Sequence, residues 1–299
     1  MNMKRWVLAS FILEALVAVG LGAQSVTVLY LEGRVFAGSG DEWISVGIGD
    51  HVPLTGILRV QKESSIDLSA PGGRISLVEP GTYVLHDILQ ARDDPASADI
   101  SAQVMGELKR ILNGRSANQA VTGGVRGADE AKTADHDWVT SDAAVFVDAA
   151  KEYIASGNYD DALDQLDQVQ ASSDEESAEI SFYRAEAYAM AGKTHQAYKI
   201  LTSLAPKGKE AWAGDFILLK ARLYLGSFAP RAAVDLLTDK ASVALGNDSQ
   251  YAGAYYFFLG LGYRGLGNVA QERQSLKRVV TISGDTGLGR TAGEILKGL

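Results

Sequence analysis

From residue 150 onward the chain repeats a small residue followed three positions later by a tyrosine: Ala150/Tyr153, Ala185/Tyr188, Ala221/Tyr224 and Gly260/Tyr263. In the first three copies a second alanine stands twelve places after the small residue, at Ala162, Ala197 and Ala233, and Leu166, Leu201 and Leu237 lie four further on. This pattern reads as helix, turn, helix. A hairpin of that size cannot bury its apolar face alone, so neighbouring copies must stack. The expected product is a solenoid whose open concave surface suits binding better than bond-making.

The N-terminus begins with Lys4-Arg5, continues almost wholly apolar from Trp6 to Gly20, and reaches Leu21-Gly22-Ala23 before Gln24. A basic start, an apolar stretch and a small residue at a cleavage point predict an export signal over residues 1–23. Glu14 interrupts the apolar run at a cost of roughly 2–3 kcal/mol in a membrane, which argues against a permanent span. No other stretch is long enough to cross a bilayer, so no integral membrane span is expected after signal removal. The chain has no cysteine. That excludes disulfides, thiolate metal sites and a lipidated N-terminal cysteine. The formal net charge of -9 becomes one unit more negative once Lys4, Arg5 and Glu14 leave with the signal. Such a balance disfavours nucleic acid and anionic lipid, whose recognition runs on lysine and arginine.

Residues 25–88 read as short antiparallel strands. Ser25–Leu31 is rich in valine, leucine and tyrosine, and Ile66 and Leu68 alternate with Asp67 and Ser69 as in a sheet with one wet face. Pro71-Gly72-Gly73 and Pro80-Gly81 are turn signals, so Ser65–Ala70, Arg74–Val78 and Thr82–Leu85 are expected to form a meander. Residues 99–114 carry Ile100, Val104, Leu108, Ile111 and Leu112 on one face and end at Gly114, which predicts an amphipathic helix that covers the sheet or, as the lesser alternative, grips a partner. Residues 128–140 are polar and aperiodic and suit a linker.

The order Glu32-Gly33-Arg34-Val35, Gly49-Asp50-His51-Val52-Pro53-Leu54, Gly56-Ile57-Leu58, Ser64-Ser65, and Pro71-Gly72-Gly73-Arg74-Ile75 through Thr82-Tyr83 resembles a FecR-type domain. Val121–Gly127 is similar to the Val-Arg-Gly strand that often closes such domains. The resemblance implies an all-β module over residues 24–127. In the second half, Gly157-Asn158-Tyr159, the acidic start Asp160, Asp161 and Asp164, the capping box Ser173-Asp174-Glu175-Glu176, and Gly192 and Gly267 at the corresponding turns resemble tetratricopeptide repeats. Four copies span about 143–282 within a helical region of 141–299, with Gly287–Leu299 as a capping helix. The match weakens where Phe228-Ala229-Pro230 replaces the third turn glycine and where Glu272 takes the place of the packing alanine.

Gly260-Leu261-Gly262-Tyr263-Arg264-Gly265 satisfies the dinucleotide-binding glycine spacing, with Asp285 beyond it. That motif needs a strand before it and a helix opening at it, whereas these glycines fall inside a repeat helix. His51, His86, His136 and His195 are scattered, and Asp135-His136-Asp137 lacks further nearby ligands. No nucleophile elbow, Walker loop or metalloprotease helix is present. The pair Asp93/Asp94 beside Pro95 reads as exposed loop charge. No catalytic, cofactor or metal residue is therefore expected.

By repeat register the first helices face the groove with Lys151, Glu179, Phe182, Glu186, Asp215, Arg222, Phe257 and Arg264. Aromatic residues and arginine dominate interface energetics, which makes Phe182, Phe257, Arg222 and Arg264 the expected anchors, with Lys151 and Glu186 beside them; packing in the core between repeats is the alternative for Phe182 and Phe257. The combined expectation is a two-domain β plus α protein: a FecR-like antiparallel module and an all-α solenoid. It would be non-enzymatic, exported to the periplasm or cell envelope, and act as an adaptor for envelope proteins or for cell-wall glycan. FecR-type regulation of a sigma factor is a second reading, disfavoured because only five residues precede the apolar stretch. A wall hydrolase with a hidden carboxylate pair is a third.

Overall fold

The computed structural model describes residues 25–39, 42–93, 142–239, 242–248 and 250–299. The expected export signal, the helix over 99–114, the Val121–Gly127 strand and the linker all lie outside the described residues. The chain divides into two compact units at Asp93/Asp94, the first built of β-strands and the second of helices. Among the described residues no helix is long and apolar enough to cross a membrane.

The first unit comprises β1 (Ser25–Glu32), β2 (Val35–Ser39), β3 (Glu42–Ser45), β4 (His51–Pro53), β5 (Ile57–Val60), β6 (Ser65–Ala70), β7 (Gly73–Leu77), β8 (Gly81–Val84) and helix α1 (Leu85–Asp93). They form two antiparallel four-stranded sheets, ordered β4-β1-β6-β7 and β3-β2-β5-β8. The β6-β7 hairpin matches the sequence expectation, with Ala70 opposite Gly73 across Pro71-Gly72. The meander ends there, because β8 leaves its neighbour and pairs with β5 in the other sheet, Leu58 opposite Tyr83. Alternation places Val26, Val28, Leu68, Ile75 and Leu77 of one sheet and Val35, Leu58 and Val60 of the other out of water.

Asp67 departs from its expected wet face. It lies in a strand with neighbours on both sides, is 2% exposed, and approaches the Arg74 guanidinium at 3.7 Å. The quoted Gly33-Arg34 and Ser64 motifs meet in space. The Arg34 backbone N–H donates to Ser64 Oγ at 2.9 Å, and Ser64 Oγ donates to the Lys62 carbonyl. Gly33 holds φ +75° at this crossing between β1 and β2, and a Cβ there would meet Ser64 Oγ at 2.3 Å. Only glycine satisfies both constraints.

The second unit contains α2 (Asp142–Ser156), α3 (Tyr159–Asp167), α4 (Asp174–Met190), α5 (Thr194–Ser203), α6 (Ala213–Gly226), α7 (Pro230–Thr238), a 3-10 turn (Val243–Asn247), α8 (Ala252–Gly265), α9 (Val269–Ser283) and α10 (Gly287–Lys297). Each pair from α2/α3 to α8/α9 is a hairpin. Every first helix packs on the first helix of the next hairpin, and α3, α5 and α7 each pack on the first helix that follows. The small positions Ala150, Ala185 and Ala221, the second positions Ala162, Ala197 and Ala233, and Leu166, Leu201 and Leu237 are all fully buried. Small residues let the two helices approach, and each leucine fills the remaining space for about 2 kcal/mol of burial.

The four turns share one hydrogen-bond geometry. The N–H groups of Asn158, Lys193, Ala229 and Asn268 donate to the carbonyls of Tyr153, Tyr188, Tyr224 and Tyr263, at 2.9 Å in each case. Closing the helix this way needs a left-handed residue just before the donor. Gly157, Gly192 and Gly267 supply it at φ +90°, +74° and +69°, and Phe228 supplies it at φ +56°. The third turn, weak in sequence, is thus the same turn with a strained residue in it. Pro230 then opens α7 at its first turn, where a missing N–H costs nothing.

The second helices lack basic residues in their last turns. The next hairpin compensates: Arg184 Nη2 donates to the Leu166 carbonyl at 3.1 Å, Lys220 Nζ to that of Leu201 at 3.4 Å, and Tyr255 Oη to that of Leu237 at 2.9 Å. Each satisfies a carbonyl in the last turn, and the two cations also oppose the helix dipole. The side-chain half of the expected capping box is present, with Ser173 Oγ accepting from the Glu176 N–H at 3.2 Å. Its carboxylate turns to Ser172, whose hydroxyl donates to it at 2.7 Å.

Candidate functional site

The eight residues expected in the groove fall on α2, α4, α6 and α8, and burial separates them into three kinds. Phe182 and Phe257 are fully buried. Phe182 stacks on Trp212 at 5.1 Å and meets Tyr183 edge-on, tying α4 to the segment that opens α6. Their expected role as partner anchors is corrected: both are core residues between hairpins, placed there because the first-helix register brings that position against its neighbour. Glu186 and Asp215 are also closed to water, at 3% and 2% exposure, so neither offers a surface contact.

Lys151 and Glu179 form a second kind, partly exposed and paired with each other. Lys151 Nζ lies 3.0 Å from Asp148 and 3.6 Å from Glu179, and sits 4.8 Å above the Tyr183 ring. This joins α2 to α4 across the hairpin boundary. Pairs of this exposure contribute little to stability, so the charges remain exchangeable with those of a partner.

The arginines are the third kind. Arg264 Nε donates to Glu272 Oε1 at 2.9 Å, and the Glu272 side chain is 3% exposed. Glu272 occupies the packing-alanine position, and the ion pair with the facing arginine is what makes a carboxylate tolerable there. The guanidinium keeps a buried Nη1 without a hydrogen-bond partner among the described residues. Arg222 is half-buried, and its Nη1 donates to Met190 Sδ at 3.4 Å. Burial lowers its pKa to about 10, with Tyr159 and the Glu186 carboxylate pulling the other way.

Next to Arg222, the α2-α3 and α4-α5 turns meet in an open cleft of about 640 Å³, lined by Tyr159, Asp160, Asp161, Met190 and Lys193 among others. Lys193 Nζ bridges it to Asp160 at 3.2 Å. The cleft was not expected from sequence, although both turn glycines and the acidic start of α3 were marked. Turn spacing alone does not reveal that two turns leave a gap between them.

The glycines of the dinucleotide-like run are explained by close helix packing. An added Cβ would come within 3.1 Å of Leu276 at Gly260, 2.6 Å of Val234 at Gly262 and 2.7 Å of Pro230 at Gly265. They let α8 approach α7 and α9. Asp135-His136-Asp137 lies outside the described residues, and among those described no group of three or more histidines and carboxylates could hold a metal. Comparison of the chain with protein-family models, curated proteins and solved structures gives no match in any of the three.

Proposed function

We propose that the protein is a non-enzymatic adaptor of the periplasm or cell envelope, exported by the leader over residues 1–23. A FecR-like β module is joined in it to a tetratricopeptide-like solenoid. The observation that carries this reading is the fourfold recurrence of one hairpin turn and one set of buried positions, with each first helix in contact with the next. Repetition of one hairpin at a constant relation to the next generates an extended surface. Its partly exposed charges, Lys151, Glu179, Arg222 and Arg264, suit capture of an extended or helical segment of an envelope protein. The acidic balance favours a protein or glycan partner over nucleic acid.

The test is co-purification of the tagged full-length chain from envelope fractions, comparing wild type with a Glu179→Lys/Arg222→Gln variant. Charge reversal at Arg264 is a poor probe, since it would set a second carboxylate against buried Glu272. The adaptor reading expects a stoichiometric partner that the folded variant loses. Equal recovery with both proteins would remove the first-helix face from the account.

A further inference from the structure

Met190 ends α4 at the cleft between the first two turns and is the only methionine among the described residues. Its sulfur is also the only hydrogen-bond acceptor of Arg222 among the described residues, at 3.4 Å from Nη1. A thioether is a weak acceptor, and a desolvated guanidinium is a strong donor, so the pairing under-uses the cation. Arg222 makes no salt bridge within the described residues. The Tyr159 hydroxyl and the Glu186 carboxylate bear on it electrostatically.

We propose that Met190 is an oxidation site at which a peroxide converts the thioether to a sulfoxide that Arg222 then holds. One oxygen of hydrogen peroxide passes to Sδ. The S–O bond forms as the O–O bond breaks, sulfur gives up two electrons, and the second oxygen departs as water. A sulfoxide in an ordinary apolar core is disruptive because its polar oxygen has no partner. Here the new oxygen emerges beside a guanidinium N–H that already points at the sulfur. A charge-assisted bond of about 2.8 Å replaces a weak one. The cleft admits the oxidant, since Met190 lines it although the residue is only 8% exposed. Oxidation would therefore tighten this corner and occupy the Arg222 donors. Nothing in this inference depends on the adaptor reading: the test below needs no partner, so one can fail while the other stands.

The experiment treats the folded full-length protein with hydrogen peroxide, locates added oxygen by peptide mass mapping, and follows thermal unfolding of the helical unit. Met190 is expected to gain one oxygen without prior unfolding. The midpoint of the oxidised wild type should stay within about 2 °C of the reduced protein, whereas an oxidised Arg222→Gln variant should lose about 4 °C or more relative to its own reduced form. Met190→Leu should abolish that difference and assign it to this sulfur. If Arg222→Gln does not fold, the Arg222 side-chain N–H resonances of wild type decide, moving downfield on oxidation if the sulfoxide is held. A Met190 that stays reduced until denaturant is added, equal losses in wild type and Arg222→Gln, or unmoved Arg222 resonances would each overturn the proposal.

Discussion

Phe228 offers a sharp test of the repeat, because it occupies a left-handed position that the other three turns give to glycine. A non-glycine residue there costs roughly 1–2 kcal/mol in steric strain. Replacing Phe228 directly by glycine confounds that strain with loss of a half-buried ring, so the informative comparison is Phe228→Gly against Phe228→Ala. Both lack the ring, and they differ only in backbone preference. Glycine relieves about 1–2 kcal/mol of strain and costs about 0.5–1 kcal/mol in chain entropy. The glycine variant should therefore be more stable than the alanine variant by about 0.5–1 kcal/mol. In an ordinary helix interior the order is reversed. The converse substitution, Gly192→Ala, should destabilise by about 1 kcal/mol through strain alone, because a Cβ at Gly192 would meet nothing within 4 Å. Thermal unfolding followed by circular dichroism reads these as shifts of about 2–4 °C per kcal/mol in a domain of this size. Equal stability of Phe228→Gly and Phe228→Ala would show that the third turn is not built like the other three.

Three further outcomes follow from the structure. Glu272→Ala should destabilise the helical unit by about 2 kcal/mol, less than for a fully buried pair because Arg264 is partly exposed, and adding Arg264→Leu should recover most of that loss in urea titration. Ser227→Ala should be neutral or stabilising by up to about 1 kcal/mol, since Ser227 is fully buried and its hydroxyl lacks a hydrogen-bond partner among the described residues; a clear loss of stability would expose a missing bond. Burial raises the Tyr83 pKa, with Glu79 adding to the shift, while its hydroxyl donates to the Glu79 carbonyl at 2.8 Å. A raised folded pKa gives stability that is full below the unfolded tyrosine value near 10 and is lost as pH rises above it, so the β unit should weaken above about pH 10 in wild type and much less in Tyr83→Phe.

Much of the helical half was legible because its signals are local and repeated. Ala150, Ala162 and Leu166, with their counterparts, mark where helices touch, and every one is buried as that spacing requires. The β unit was legible as strands but not as topology, since the choice of β5 over β7 as partner for β8 depends on contacts remote in sequence. Asp67 misled for the same reason: alternation reports one wet face only when the strand lacks cover on both sides. At the candidate site, register placed residues on the right helices and could not tell groove from core. Phe182 needed Trp212, thirty residues away, to show that its ring is spent on packing. Glu272 looked like decay of the repeat until Arg264 was seen opposite it.

The central claim is that the first helices present the recruiting surface, and a photo-crosslinking amino acid at Glu179 in the full-length protein, irradiated in living cells, tests it most directly. Exposed Asp164 on α3 and Lys199 on α5 serve as control positions on the second helices. The account predicts one dominant adduct at Glu179, mapping to a single contiguous segment of an envelope protein and absent at both controls. Adducts that are equal at all three positions, or found only on the second helices, would contradict it.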